Sequence, residues 1–142
     1  METIRIKYFV EGLEPVEKLQ KGDWIDLRAA EERTLRAGES CYLRLGVGMI
    51  LPEGYEAHVA PRSSTFKRYG VIVTNSFGVI DSSYCGEEDE WRLPILAMRD
   101  TQIRFNDRVC QFRIVRKQPE IGFETVEHLQ PESRGGFGST GV

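Results

Sequence analysis

The chain has 142 residues, of which 40% are hydrophobic and 29% charged, and its net charge is −3. This length and composition suit one globular domain with its own core. The slightly acidic balance argues against nucleic acid or a membrane surface as partner, so any anion-binding charge is expected to be local. No 18-residue apolar stretch exists, and the N-terminus has no apolar block typical of a signal sequence. We therefore expect a cytoplasmic protein.

The three cysteines, Cys41, Cys85 and Cys110, are widely spaced and form no C-x-x-C pair. Only two histidines accompany them, so a zinc site is a poor fit, and free thiols in a reducing compartment are the natural interpretation. Cys41 and Cys110 stand in alternating apolar runs. We expect both of them in the core.

Short strand-like runs occupy most of the chain. Residues 4–9 alternate apolar and charged side chains and predict a half-buried opening strand. Further runs of this kind lie at residues 24–29, 39–45, 47–51, 55–60, 71–74, 91–98, 102–105 and 108–116. Turn residues separate them at Gly38, Pro52 to Gly54, Asn75-Ser76, Arg99-Asp100 and Asn106-Asp107. Because no 3.6-residue period extends beyond a short turn at residues 65–69, the pattern predicts an all-β chain, sandwich or barrel.

An Arg-Ser-Ser step at residues 62–64 precedes that short helical turn. Ser63 or Ser64 is the expected N-cap, and Gly70 is the expected C-terminal stop. Free N–H groups at the start of such a turn attract phosphate, and the Arg62 guanidinium can add a charged, bidentate fork. On these residues alone an alternative stays open, in which Arg62 is a surface charge and the serines only cap a helix.

A second polar element follows Asn75, where Gly78-Val79-Ile80-Asp81 predicts a short extended run that ends in a turn. Gly78 can take positive φ, and Asp81 leaves the end of the strand. A carboxylate at that place can act as a general base toward water if it lies in a partly desolvated cleft. The tetrapeptide by itself leaves open the alternative that Asp81 is an ordinary turn residue.

Together these elements resemble the trimeric dUTPases, the deoxyuridine triphosphate diphosphatases, whose signature is five short motifs. All five have a counterpart here in the right order. They are Asp26 to Ala30, Pro61 to Ser64, Asn75 to Gly86, Asn106 to Gln111 and Arg134 to Gly141. The resemblance implies a distorted jelly-roll β-barrel over residues 1–130 and a flexible C-terminal arm over residues 131–142. It also implies a homotrimer whose active sites are shared between chains.

The activity implied by the resemblance is hydrolysis of dUTP to dUMP and pyrophosphate with Mg²⁺. Asp81 is then the catalytic carboxylate that activates water for in-line attack on the α-phosphorus. Asp26 is then the metal-binding residue, which reaches the phosphate-bound Mg²⁺ through water, in keeping with the reluctance of Mg²⁺ to lose its hydration. On its position alone Asp26 also has a structural alternative, in which it bonds neighbouring backbone amides.

The same motifs imply the substrate contacts. The hairpin from Val79 to Tyr84 contacts uracil through backbone groups with help from Asn75, and Tyr84 packs under the deoxyribose, leaving no room for a 2′-hydroxyl. Gln111 belongs to a phosphate and water network opposite Ser64, which also explains a polar residue in a core-like strand. The predicted substrate-binding residues are Arg62, Ser63, Ser64, Asn75, Gly78, Val79, Ile80, Tyr84, Trp91, Gln111, Arg134, Phe137, Gly138 and Ser139.

The aromatic residue that stacks on the base has two candidates. In the dUTPases the C-terminal arm folds over the site of a neighbouring subunit, with its Phe stacked on the base. Here Arg134 lies three positions before Phe137, a shorter spacing than the family usually has. Trp91, in an acidic loop at residues 87–92, is the other candidate, since a large aromatic beside a base pocket can stack on uracil.

Two departures from the family pattern accompany the match: Ser83 stands where a second Asp is frequent, and Cys85 where a long polar residue is. Two alternative functions remain. dCTP deaminase shares the fold and the Arg-Ser-Ser step, but its general-base Glu precedes the hairpin glycine, where this chain has Cys85. Some phage dUTPases also act as regulatory binding proteins, for which the acidic 87–92 loop would be the contact surface.

Overall fold

The computed structural model describes residues 1–136. Within them the chain forms eleven short strands and one helix. The strands are β1 Arg5–Tyr8, β2 Ile25–Arg28, β3 Arg33–Leu35, β4 Ser40–Arg44, β5 Val47–Ile50, β6 Tyr55–Ala60, β7 Val71–Val73, β8 Gly78–Ile80, β9 Arg92–Ala97, β10 Thr101–Ile103 and β11 Arg108–Arg116; the helix α1 is Thr65–Tyr69. No helix in residues 1–136 is long and apolar enough to span a membrane. The predicted all-β class is confirmed.

The strands form four small antiparallel sheets. One has four strands in the order β2-β11-β6-β8, and another has three in the order β4-β9-β7. β1 pairs with β5, and β3 pairs with β10. Most paired strands are far apart along the chain, as in the double Greek key of a jelly roll. The observed architecture is the distorted jelly roll that the resemblance implied.

One continuous hydrophobic cluster lies inside these sheets. Strand alternation supplies it, because every second residue of a strand points to the same face. In β9, for example, Leu93, Ile95 and Ala97 are buried while the residues between them are not. Cys110 is buried, Cys41 half-buried and Cys85 exposed, and all three are free thiols. Cys110 lies in the core as predicted, whereas Cys41 lies at its edge.

Two local features differ from the sequence-based expectation. β3 was not predicted, since three residues that follow two glutamates are too few to show alternation; the strand forms because Leu35 pairs with Thr101 of β10. The positive φ expected at Gly78 is found at Ser76, with φ 66°. Gly78 instead begins β8 and pairs with Val59, so the chain reverses two residues earlier than expected.

Candidate active site

The Arg62-Ser63-Ser64 turn is fixed by Thr65, a residue that the sequence analysis did not single out. The Thr65 hydroxyl accepts a hydrogen bond from the Arg62 N–H at 2.7 Å and donates one to the Val109 carbonyl at 3.0 Å. Thr65 is 1% exposed, and hydrogen bonds in such a buried place are costly to lose. The turn is therefore tied to β11 rather than free to move on the surface.

The predicted helix boundaries at this turn are correct, with one difference. Gly70 ends α1 with φ 61°, and its N–H donates to the Phe66 carbonyl at 2.7 Å. Ser64 occupies the N-cap position, but its side chain makes no capping hydrogen bond. Capping therefore does not occupy the Ser64 hydroxyl, which stays available to a ligand. Ser63 beside it is exposed.

Asp26 on β2 links this turn to the neighbouring strand. Its Oδ1 lies 3.0 Å from Arg62 Nε, and its Oδ2 lies 3.8 Å from Arg108 Nε. Gln111 of β11 pairs with Asp26 in register, and its Nε2 donates to the Pro61 carbonyl at 3.1 Å. Three of the five sequence motifs thus meet here, in what we call the Asp26 cluster: Asp26, Arg62, Arg108 and Gln111.

The Asp26 cluster was tested as a site for Mg²⁺ by the chemistry of its donors. It offers one carboxylate between two arginines, and residues 1–136 contain no group of three or more His, Cys, Asp or Glu side chains able to hold a metal ion. Mg²⁺ usually keeps several waters and is bound through one or two carboxylates plus substrate phosphates. The cluster therefore fits a Mg²⁺ ion carried by a triphosphate and contacted by Asp26 through water.

Asp81 directly follows β8, as predicted, and the next turn holds its carboxylate. The Ser83 hydroxyl donates to Asp81 Oδ2, and the Ser83 N–H donates to the same oxygen at 2.8 Å. These two bonds, with a smaller contribution from the Lys117 ammonium, hold the pKa of Asp81 below its usual range. Asp81 is therefore ionised at neutral pH, the state that a general base requires.

A cavity of about 490 Å³ lies beside Asp81. Its volume is within the range of small-molecule sites. The Tyr84 hydroxyl donates to the Glu90 carbonyl at 3.0 Å, which holds the ring in the cavity wall. The residues that line the cavity are Tyr42, Val79, Ile80, Asp81, Ser83, Tyr84, Glu90, Trp91 and Arg92. The hairpin predicted to contact the base and sugar is thus one wall of a real pocket.

Trp91 borders this pocket, but it is not an exposed loop aromatic. The indole is 1% exposed and packs edge to face against Phe112, with ring centroids 5.4 Å apart. The Trp91 backbone N–H donates to the Val47 carbonyl at 2.7 Å, just before β9 begins. The prediction that Trp91 stacks on uracil is wrong, because a ring buried in the core offers no open face to a base.

Glu90 is the residue that the sequence analysis missed, since it lies in an acidic run interpreted as a surface loop. It is 6% exposed. The Arg44 guanidinium donates to both of its oxygens, at 3.0 Å from Nε and 2.8 Å from the terminal nitrogen, and the Gly46 N–H adds a bond at 3.1 Å. Burial disfavours its charge, but these bonds outweigh burial and keep the pKa of Glu90 below its usual range. The one feature of the sequence that indicated burial of this segment was the adjacent Trp91, a side chain too large for a solvated loop tip.

The other predicted site residues lie apart from the pocket or beyond the described chain. Asn75 is in the exposed turn between β7 and β8, where its carbonyl accepts the Phe77 N–H at 2.7 Å. Arg134 is exposed. Phe137, Gly138 and Ser139 lie outside residues 1–136. Their substrate contacts stay predictions.

The two halves of the predicted site are separated within one chain. Asp26 lies on β2 at one edge of the four-stranded sheet, and Asp81 follows β8 at the opposite edge. Along β6, Ala60 pairs with Gln111 and Ala57 pairs with Ile80. Asp81 follows Ile80, so it lies three strand spacings across the sheet and four residues along it from Asp26, or about 14 Å and about 13 Å. A single chain therefore does not bring Asp81 to the Asp26 cluster.

The jelly roll, the Arg-Ser-Ser turn between β6 and α1 and the Asp81 hairpin beside a small-molecule pocket are the features that the resemblance to the dUTPases implied. The dUTPase family model matches residues 21–141, and the chain belongs to the dUTPase family. It is 54% identical, over 98% of both chains, to the SPbeta prophage-derived deoxyuridine 5'-triphosphate nucleotidohydrolase YosS of Bacillus subtilis (strain 168). It is 39% identical to the deoxyuridine 5'-triphosphate nucleotidohydrolase of Streptomyces coelicolor, over 86% of this chain and 68% of that one.

Solved structures share the fold at lower identity. The dUTPase of Staphylococcus bacteriophage 80alpha with dUPNHPP superposes with a TM-score of 0.80 at 20% identity, over 99% of both chains. The dUTPase of phage phi11 of S. aureus, described with a structural Mg(II) ion, gives a TM-score of 0.77 at 19% identity, over 89% of this chain and 97% of that one. The family and its relatives make this protein a hydrolase of dUTP, a dUTP diphosphatase of nucleotide metabolism.

Proposed function

We propose that Asp81 is the general base of a Mg²⁺-dependent dUTP diphosphatase. The observation that carries this proposal is the position of the Asp81 carboxylate in the wall of the pocket, next to Tyr84. Asp81 accepts a proton from water, and the water oxygen bonds to the α-phosphorus as the bond to the bridging oxygen breaks. The products are dUMP and pyrophosphate.

The triphosphate is bound by the Asp26 cluster and the Arg-Ser-Ser turn. The ion pair with Asp26 orients the Arg62 guanidinium, whose remaining N–H groups can donate to phosphate oxygens. The Ser63 and Ser64 hydroxyls and Gln111 add neutral donors around it. When bound, Mg²⁺ supplies further neutralisation of phosphate charge, with Asp26 holding it through water. Positioning and charge compensation thus carry most of the catalysis.

The base and sugar are bound by the β8 hairpin. Backbone groups of Gly78, Val79 and Ile80 contact uracil with help from Asn75, and the Tyr84 ring packs against the deoxyribose. Because Trp91 is buried, Phe137 of the C-terminal arm is the remaining candidate for stacking on uracil. Arg134, Gly138 and Ser139 of the same arm then close over the triphosphate.

We propose a homotrimer in which each site combines the Asp81 hairpin of one chain with the Asp26 cluster of another. Two observations support sharing: the separation of these elements within one chain, and a row of exposed apolar residues that the chain does not cover itself. That row follows β11 and consists of Ile121, Phe123, Val126 and Leu129. Exposed apolar side chains in such number are typical of interfaces.

The 1–130 domain, the 131–142 arm and the cytoplasmic location stay predictions.

The test is pyrophosphate release from dUTP, dTTP, dCTP and UTP with Mg²⁺. We expect hydrolysis of dUTP alone, and a loss of about 10²- to 10⁴-fold in kcat for Asp81→Asn, since a positioned general base contributes that much. Addition of a chelator is expected to slow the wild type strongly. Asp23→Asn is the matched control, because Asp23 pairs with Arg113 at 3.1 Å and belongs to neither half of the site.

Two results would contradict the proposal. Full activity of Asp81→Asn would show that Asp81 is not the general base. Full activity without a divalent cation would show that Mg²⁺ is not required. Ammonia release from dCTP would indicate the deaminase alternative instead.

A further inference from the structure

The Tyr84 ring is held by a carbonyl rather than by another side chain. Its hydroxyl donates to the Glu90 carbonyl oxygen at 3.0 Å. Tyr84 is otherwise partly exposed, at 41%, so packing alone does not immobilise it. The position of the ring therefore depends on the position of the Glu90 backbone.

The Glu90 backbone is in turn fixed by its own buried side chain. Arg44 of β4 binds the carboxylate through two nitrogens, and the Gly46 N–H binds Oε2. The pair joins the loop before β9 to the neighbouring strand β4, where Arg44 pairs in register with Arg92 of β9. Adding a Cβ at Gly46 would bring it within 2.6 Å of the Ala30 Cβ, so this part of the backbone has little room to adjust.

The loop between Tyr84 and Glu90 is also closed on itself. The Gly86 N–H donates to Asp89 Oδ2 at 2.8 Å, and the Asp89 N–H donates to the Gly86 carbonyl at 3.1 Å. Lys7 of β1 binds the Glu87 carbonyl at 2.9 Å from outside. These bonds hold the Tyr84-to-Glu90 segment in the arrangement in which the phenol donates to the Glu90 carbonyl.

We propose that Glu90 and Arg44 are positioning residues for sugar recognition: their buried ion pair fixes the carbonyl that holds Tyr84 against the deoxyribose. Steric exclusion of a 2′-hydroxyl works only if the excluding wall cannot retreat, and a displacement of about 1 Å is enough to admit one oxygen. The acidic run at residues 87–92 thus contains, in Glu90, a residue that contributes to sugar specificity and is not only a solvated loop. This inference rests on the proposed role of Tyr84 at the sugar.

The experiment compares kcat/KM for dUTP and UTP in the wild type and in Tyr84→Phe, Arg44→Met and Arg44→Lys. Tyr84→Phe removes one oxygen and keeps the ring, so folding is preserved. We expect the ratio of kcat/KM for dUTP to that for UTP to fall about three- to tenfold in Tyr84→Phe and Arg44→Met, the value of one hydrogen bond. Arg44→Lys keeps the positive charge but loses the two-nitrogen contact of the guanidinium. Its ratio of kcat/KM values should lie between those of these two variants and that of the wild type.

Binding of dUMP and UMP, measured by calorimetry, gives a second readout that does not depend on hydrolysis. Arg113→Met is the matched control, since its ion pair with Asp23 is exposed and distant from Tyr84. A purely structural role of the Arg44–Glu90 pair would lower activity on both substrates equally and leave their ratio unchanged.

The outcomes separate this inference from the proposal on which it rests. If Tyr84→Ala keeps the preference for deoxyribose, Tyr84 does not recognise the sugar and both ideas fail. If Tyr84→Ala loses the preference while Tyr84→Phe and Arg44→Met keep it, Tyr84 recognises the sugar but the positioning role of Glu90 and Arg44 is wrong. If all three lose it, the inference stands.

Discussion

Asp81 shows how two neighbouring bonds set the charge of a carboxylate. Its Oδ2 accepts both the hydroxyl and the N–H of Ser83, the residue that stands where relatives frequently have a second Asp. The other charged group near it is Lys117 at the end of β11, whose ammonium also contacts the Ser82 hydroxyl. A serine in this place donates to the base, whereas a second carboxylate would repel its charge.

The first prediction concerns Ser83→Ala. Removing the hydroxyl takes away the largest cause that lowers the pKa of Asp81, so that pKa should rise. Because a general base must be deprotonated to act, the acidic limb of the pH profile of kcat/KM should move to higher pH. Ser83→Thr, which keeps a hydroxyl, should restore the wild-type limb.

Ser82→Ala is the control for this prediction, because the Ser82 hydroxyl contacts Lys117 and leaves both bonds to Oδ2 in place. NMR titration of the Asp81 carboxyl should show the same direction of change as the kinetics. An acidic limb that stays where it is in Ser83→Ala would mean that Ser83 does not tune the base.

At the scale of elements, the loop before β9 contains a buried carboxylate, Glu90, that is paired with Arg44 of β4. Glu90 is 6% exposed, whereas Glu87, three residues earlier, pairs with Lys7 at the surface. Burying a carboxylate is unfavourable unless it is paired and hydrogen-bonded, and here Arg44 and the Gly46 N–H satisfy both oxygens. Two acidic residues of one loop therefore differ in what they contribute to stability.

The second prediction follows from the lowered pKa of Glu90. A carboxyl whose pKa is lower in the folded state than in the unfolded state stabilises the fold above its unfolded pKa, and that stability is lost as the pH falls through the folded pKa. Glu90→Gln should reduce the free energy of unfolding by about 2 kcal/mol at pH 7, less than for a fully buried pair because Arg44 is partly exposed. The deficit should shrink in acid, below the folded pKa.

Urea unfolding at pH 7 and in acid, at one protein concentration, measures both effects. Glu87→Gln serves as the control and should change stability little, since exposed ion pairs contribute little. Equal destabilisation by the two variants would show that burial of Glu90 is not what matters.

At the scale of the whole molecule, the separation of Asp81 from the Asp26 cluster decides how the enzyme is built. Both are on the same four-stranded sheet, but at opposite edges. In the homotrimer proposed above, the missing half of each site comes from another copy of the chain. A closed ring of identical chains supplies that arrangement at every site.

The third prediction is recovery of activity by mixing inactive variants. Asp81→Asn and Arg62→Ala damage different halves of the site, so co-refolded chains in equal amounts should show about a quarter of wild-type activity, from sites that combine two intact halves. Asp81→Asn mixed with Tyr84→Ala is the control. Both changes lie in one hairpin and no mixed site is intact, so the activity of the mixture should not exceed the average of the two variants measured alone. Sites confined to single chains would give no recovery in either mixture.

Local patterns in the sequence were sufficient for the strands, the helix and most turns. Alternation and turn residues act over a few neighbours, which is why Gly70 and the strand before Asp81 were found where expected. β3 was missed because its formation depends on a partner strand far along the chain.

By itself, the sequence determined the all-β class, the dUTPase family and the positions of Asp81 and Arg62, because these depend on local residue order. Only the tertiary structure decided that Trp91 belongs to the core, that the Glu90 side chain is buried and that Thr65 fixes the Arg62-Ser63-Ser64 turn. Each of those results depends on a distant partner: Phe112, Arg44 and Val109. Burial is a property of the folded chain, so residues that look alike in the acidic run differ once the sheets are packed.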